Sequence, residues 1–111
     1  MKTAKQLKCI ADEKNSVSKE EIIKASDWCF ERVTELFEEK MCKAAEVGCY
    51  SESVNIEPYL KEAVKDIPYL KKEEVRKLII KRIRKYYKSL GFVVGCYDLL
   101  DGRLALQVWW D

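Results

Sequence analysis

The side chains that could do chemistry in this chain are carboxylates, lysines, cysteines, tyrosines and serines, because its 111 residues include no histidine. The lack of imidazole excludes Ser-His and Cys-His nucleophile pairs and nearly every catalytic zinc arrangement. The four glycines also form no glycine-rich phosphate-binding loop. Since the remaining reactive types make no recognisable constellation, we expect no catalytic residue, no cofactor and no enzymatic activity.

The cysteines are five in number and irregularly spaced, and they stand at Cys9, Cys29, Cys42, Cys49 and Cys96. A four-cysteine zinc site normally contains close pairs such as C-x-x-C, and no pair here is that close. Cys29 falls on an apolar helix stripe and Cys96 within a predicted strand, where cysteine behaves as a small hydrophobic residue. The sequence therefore predicts buried free thiols and no metal site.

Positive charge is concentrated between Lys61 and Lys88, where 11 basic residues face 4 acidic ones. That window carries +7 although the whole chain carries +2, so the remainder is acidic. Within a predicted helix, one side is basic over an arc of about 100°. The residues of this arc are Lys77, Lys81, Arg84, Lys85 and Lys88. Such an arc can bind a phosphate backbone or an acidic protein surface, or it can be only a solvated helix face.

The predicted apolar side of that helix consists of Val75, Ile79, Ile83, Tyr86 and Leu90, with Leu78 at its edge. Arg82 points towards the same edge, so we expect it either to extend along the apolar surface with its charged end in solvent or to pair with a carboxylate of the long helix.

Three aromatic side chains form a second set of binding candidates, namely Trp28, Tyr97 and Trp109. Trp28 lies off the apolar stripe of its helix, and strict alternation places Tyr97 and Trp109 on the sheet face opposite Cys96 and Trp110. Exposed tryptophan and tyrosine often anchor interfaces. The alternative is that the first helix folds back and covers them.

A tyrosine cluster of Tyr86, Tyr87 and Tyr97 near the basic arc could also stack nucleic-acid bases.

Capping signals divide the first half of the chain into helices. Thr3 is a candidate cap for a helix that runs to Lys14, and Ser18 with Glu21 forms a capping box. Behind it we predict the longest helix, from Lys19 to Val47, ended by Gly48. Its apolar stripe comprises Ile22, Ala25, Cys29, Val33, Leu36, Phe37, Ala44 and Val47.

The second half alternates strands with helices. We predict a strand over Tyr50–Ile56 with Tyr50, Val54 and Ile56 on one side, followed by helices over Glu57–Asp66 and Lys72–Leu90. A hairpin follows, with strands over Phe92–Asp98 and Arg103–Trp110 joined by an Asp101-Gly102 turn. On the second of these strands the alternating apolar residues are Leu104, Leu106, Val108 and Trp110.

These elements predict an α+β protein of order α-α-β-α-α-β-β, with a small antiparallel three-stranded sheet packed on two long helices. The length indicates one domain over residues 1–111, with a short helix and a break in 1–17 and a compact core in 18–111. No apolar segment is long enough to cross a membrane, and no signal-peptide pattern is present, so we expect a cytoplasmic protein with no membrane partner.

The order of elements from Lys19 to Trp110 resembles that of winged-helix DNA-binding domains. The resemblance implies that Lys72–Leu90 is the recognition helix and Leu99–Arg103 the tip of the wing. This helix is longer than the family's usual one. Its basic face is rich in lysine, with few Asn, Gln or Ser side chains to read bases.

Two segments also resemble small uncharacterised phage and prophage proteins: A-E-V-G-C-Y-S-E-S-V-N-I over Ala45–Ile56, and L-G-F-V-V…D-G-R-L-A-L-Q-V-W over Leu90–Trp109. This resemblance implies a phage-encoded accessory protein, such as an inhibitor or sequestering protein that acts on a host system. It carries over no catalytic residue.

The sequence thus yields a first hypothesis, a non-enzymatic binding protein whose partner is a host protein, another host macromolecule or an anionic ligand. The alternative is a winged-helix-like nucleic-acid-binding protein that uses the basic helix 72–90. An enzyme that relies on lysine or carboxylate chemistry ranks third. The oligomeric state stays open, with a homodimer among the possibilities.

Overall fold

The structure is a computed structural model that describes residues 2–14, 16–98 and 104–110. It confirms the predicted α+β class and order of elements. The elements are α1 (Ala4–Lys14), α2 (Lys19–Glu46), β1 (Ser51–Asn55), α3 (Glu57–Ala63), a 3₁₀ turn (Tyr69–Lys71), α4 (Lys72–Ser89), β2 (Val93–Asp98) and β3 (Leu104–Trp109).

Local signals begin α1 and α2, and end α2 and α4, close to where the sequence predicts. The Thr3 hydroxyl accepts a hydrogen bond from the Gln6 amide at 3.2 Å, while the Thr3 amide donates to the Gln6 side chain at 2.8 Å. The Ser18 hydroxyl accepts from the Glu21 amide at 3.1 Å and so caps α2. Gly48 and Gly91 adopt positive φ values of 89° and 93°, a conformation that glycine adopts more easily than any other residue. Helices α2 and α4 end just before these glycines.

The three strands form one antiparallel sheet in the order β1-β3-β2, so β3 lies in the centre. Leu106 of β3 pairs with Val54 of β1 and with Cys96 of β2. Alternation along β3 buries Leu104, Leu106 and Val108, as predicted. The hairpin turn that the sequence predicts at Asp101-Gly102 lies outside the described residues.

Helices α2 and α4 pack on the inner face of this sheet. Cys29, Val33 and Phe37 of α2 are completely buried, and so are Ile79 and Ile83 of α4. Because these helices join the sheet in one continuous apolar cluster, they form the core of the described structure.

Four details of the predicted pattern are wrong. Val47 follows the last turn of α2 and is 79% exposed, and Tyr50 precedes β1 and is 64% exposed, so neither joins the core. Helix α3 ends at Ala63 instead of Asp66. On α4 the buried aromatic residue is Tyr87, and Tyr86 and Leu90 are exposed, because the buried residues recur every four positions from Val75.

Helix α1 does not fold back over the aromatic residues, so the alternative given for Trp28, Tyr97 and Trp109 is wrong. Its residues are all exposed, including Leu7 at 55% and Ile10 at 40%. The radius of gyration is 17.6 Å, whereas a compact domain of this length has one of about 13 Å. The longest dimension is 68 Å, which a helix standing away from the core explains.

Within the described residues the five cysteines form no disulfide bond. Cys29 is buried and Cys96 partly buried, but Cys9, Cys42 and Cys49 are exposed, so the prediction of burial is wrong for these three. Cys9 belongs to the exposed α1, Cys42 lies off the apolar stripe of α2, and Cys49 follows the turn at Gly48. Among the described helices, none combines the length and hydropathy that crossing a membrane requires.

Candidate functional site

The outer side of α4 presents the basic residues that the sequence singles out. The helix buries Val75, Ile79, Ile83 and Tyr87 and so turns its opposite side away from the core. The residues of that outer side are Lys77, Lys81, Arg84, Lys85 and Lys88, which we call the basic surface. Its four lysines are exposed, and its arginine is partly buried.

A shallow groove of about 520 Å³ runs along the basic surface. It is lined by the five basic residues and by Ile80, and no acidic side chain contributes to it. Within the described residues none of the five forms an ion pair. The structure therefore brings all five predicted cations together and leaves their charge without a carboxylate partner.

Arg84 lines this groove and also carries one buried donor without an acceptor in the described part of the chain. Its Nε atom is shielded from solvent and has no hydrogen-bond acceptor among the described residues. A buried donor without an acceptor destabilises a protein by about 1–3 kcal/mol.

A second arginine of α4, Arg76, belongs instead to the scaffold. Its Nη1 and Nη2 atoms donate to the two carboxylate oxygens of Glu57 at 2.6 and 2.8 Å. Glu57 is only 5% exposed, and Arg76 is mostly buried, so this bidentate pair fixes the start of α3 against α4. Sequence reasoning missed the pair, because its two residues are 19 positions apart and lie on different helices. No helix or strand spacing predicts a contact between them.

Arg82 fixes the other neighbour of α4 and confirms the prediction made for it. Its Nη1 atom lies 2.6 Å from the Asp27 carboxylate and 2.9 Å from the Ser26 hydroxyl, both on α2. The guanidinium also lies 4.5 Å from the centre of the Phe30 ring. Arg76 and Arg82 thus hold α4 in place, while the basic surface stays open.

Tyr97 and Trp109 lie together on the outer sheet face, opposite the one that α2 and α4 cover. A Cβ atom built at Gly95 would lie 2.8 Å from the Tyr97 hydroxyl and 3.0 Å from a ring carbon of Trp109. Both rings therefore cover the bare backbone of Gly95. Tyr97 is 48% exposed and Trp109 is half-buried, so this pair is a separate surface from the basic one.

Trp28 lies apart from both the basic surface and the outer sheet face. It is half-buried at the edge of the core, and the Arg32 guanidinium lies 5.6 Å from its ring centre. The tyrosine-stacking hypothesis is wrong for Tyr87, which is 2% exposed and packs edge-on against Phe37. Burial also raises the pKa of the Tyr87 hydroxyl, so this side chain is a neutral part of the core.

The arrangement can attract an extended anion, since cations without partners line one helix side. Among the described residues, no group of three histidine, cysteine or acidic side chains could hold a metal ion. The features that the geometry offers for recognition are therefore charge on α4, aromatic area on the outer sheet face and the Trp28 edge.

Comparison with known proteins gives no relative: no protein-family model, no curated protein and no solved structure has a significant match to this chain.

Proposed function

We propose that this protein is a non-enzymatic binding protein that holds duplex nucleic acid on its basic surface. The observation that carries the proposal is the row of five cations on α4 that faces solvent without one carboxylate partner in the described structure. Charges that serve the fold are paired here, as Arg76 and Arg82 are. Charges left unpaired on one side are available to a ligand.

The dimensions of the basic surface suit a phosphate backbone. Lys77 and Lys88 are separated by about 16 Å along the helix axis. Duplex DNA carries one negative charge per about 1.7 Å of its axis, so several phosphates lie within reach of such a row. A major groove about 12 Å wide also admits an α-helix.

The winged-helix resemblance supports the same partner. The resemblance rests on the order α2-β1-α3-α4-β2-β3, and on that resemblance α4 would be the recognition helix. The basic surface holds four lysines and one arginine but no Asn or Gln, which read adenine in pairs of hydrogen bonds. We therefore propose binding through phosphates, with little dependence on base sequence.

A second candidate is a phage-type accessory protein that inhibits an acidic host protein. The outer sheet face favours it, since the exposed Tyr97 and the half-buried Trp109 are residue types that anchor protein interfaces. The basic surface would then meet carboxylates instead of phosphates.

The test reverses four exposed lysines of the basic surface, in the variant Lys77→Glu, Lys81→Glu, Lys85→Glu and Lys88→Glu. Fluorescence anisotropy of a labelled duplex measures binding across a salt series. We expect the parent to bind duplexes of unrelated sequence with similar affinity, and the variant to lose that binding. Its salt slope should shrink by about 0.9 per lost phosphate contact.

A matched control reverses four exposed lysines elsewhere, in the variant Lys14→Glu, Lys19→Glu, Lys40→Glu and Lys61→Glu. It changes the net charge equally and should retain most of the affinity. Equal losses in both variants would show that net charge alone attracts the duplex, and this result would overturn the assignment to α4. The second candidate is correct if the parent has no duplex affinity but binds an acidic protein, and if Trp109→Ala abolishes that binding.

A further inference from the structure

Helix α1 has apolar side chains that are exposed in the described part of the chain. It contains 11 residues, none of which is buried, and Leu7 and Ile10 on one side are 55% and 40% exposed. Isolated helices shorter than about 12–15 residues are marginal in water, so a stable α1 needs a surface to pack on.

A groove on the core has the complementary character. It encloses about 430 Å³ between the first turns of α2 and the residues that follow α3. Its apolar part consists of Trp28, Ala25, Ala63 and Ile67. The other lining residues are charged, namely Glu21, Lys24, Glu62, Lys65 and Asp66.

Charge makes this groove a match for α1. Lys65 is paired with Glu62, whose hydrogen bond and charge raise the Lys65 pKa, and the charge of Asp66 adds to this effect. Glu21 and Asp66 form no ion pair among the described residues. The first part of the chain, by contrast, carries Lys2, Lys5 and Lys8 before its first acidic residue, Asp12.

We infer that the groove receives α1 of a second copy of this chain, and that two copies exchange their α1 helices reciprocally. In each groove Leu7 and Ile10 would pack on Trp28 and Ile67, with Lys5 and Lys8 near Glu21 and Asp66. Exchange is favoured because α1 buries none of its residues and contributes none to the lining of the groove in its own chain. Exchange of an identical element between protomers is a low-cost route to a dimer.

A pair of single substitutions on α1 tests whether its apolar side holds the dimer. Sedimentation velocity across a concentration series should show a dimer for the parent. Leu7→Asp places a carboxylate on the apolar side and should raise the dimer dissociation constant at least about tenfold. Cys9→Asp is the matched control, since two residues along a helix point to nearly opposite sides, and it should leave the dimer intact.

A charge exchange tests the groove itself. Lys5→Glu with Lys8→Glu in one chain, and Glu21→Lys with Asp66→Lys in another, should each weaken self-association. Mixed together, the two variants should form a heterodimer, because each groove then meets an α1 of opposite charge.

Three results would overturn the inference: a parent that is monomeric throughout the series, equal effects of Leu7→Asp and Cys9→Asp, or no heterodimer on mixing. A monomer whose sedimentation coefficient indicates a compact shape would show that α1 closes onto its own groove. None of these readouts involves nucleic acid, so the inference stands or fails independently of the proposed function.

Discussion

Helices α1 and α4 are both amphipathic and rich in lysine, yet only α4 packs its apolar side into the core. Helix α4 buries four residues, is held by Arg76 and Arg82, and presents its lysines from a fixed position. Helix α1 buries none and stands off the core. An amphipathic pattern alone therefore does not show whether a helix belongs to the core or awaits a partner. What distinguishes α4 is the pair of arginine contacts that tie it to α2 and α3.

The largest expected difference between α1 and the core that α2 and α4 share is in the reaction rate of their thiols. Cys9 on α1 is exposed, whereas Cys29 is completely buried on the α2 face that packs with α4, and burial raises its pKa to about 11. Its reactive thiolate is thus scarce, and the side chain is reached only when the core opens. We expect Cys29 to react at least about a thousandfold more slowly than Cys9. Timed alkylation with peptide mapping by mass spectrometry measures both rates, with exposed Cys42 as a control. Comparable rates would mean that the core is not closed around α2.

Truncations of one apolar side chain on each helix give the next largest contrast. Ile83→Ala removes a completely buried side chain of α4 and should lower the free energy of unfolding by about 3–4 kcal/mol. Leu7→Ala on α1 should change it by less than about 0.5 kcal/mol in dilute protein, because Leu7 is exposed within the chain. Urea unfolding followed by circular dichroism measures both. A large effect of Leu7→Ala that does not depend on protein concentration would place α1 against its own core.

The two arginine contacts of α4 should differ because their partners differ in burial. Arg76→Met leaves the buried Glu57 carboxylate unpaired and should cost about 3 kcal/mol. Arg82→Met breaks a pair whose side chains are 42% and 53% exposed and should cost about 1 kcal/mol or less. The same urea titrations compare them, with Lys77→Met as the unpaired control near zero. An Arg82 variant that loses more stability than the Arg76 variant would reverse the roles assigned to these contacts.

The sequence predicted the features that follow from local periodicity. Alternation over Leu104, Leu106 and Val108 identified the buried side of β3, and the capping box at Ser18 gave the start of α2. The basic surface was also predictable, since residues 77, 81, 85 and 88 recur at helical spacing. Pairing with a carboxylate of the long helix was one of the two positions predicted for Arg82, although the pattern did not specify Asp27.

Features that depend on contacts distant in sequence were not predictable. The pattern of α4 predicted Tyr86 in the core, whereas Tyr87 is the tyrosine that packs against Phe37 and Phe92. The Glu57–Arg76 pair and the groove beside Trp28 arise only when α3 meets α4 and α2. The apolar stripe of α1 could not show what, if anything, covers it.

The central claim is that the cations without partners on α4 form a binding surface for a phosphate backbone. Its most direct test is the affinity of the unmodified protein for a labelled duplex as a function of salt concentration. With four or five phosphate contacts, the logarithm of the association constant should fall linearly with the logarithm of salt concentration, with a slope of about −4. A duplex affinity too weak to measure at low salt, or a slope near zero, would contradict the account.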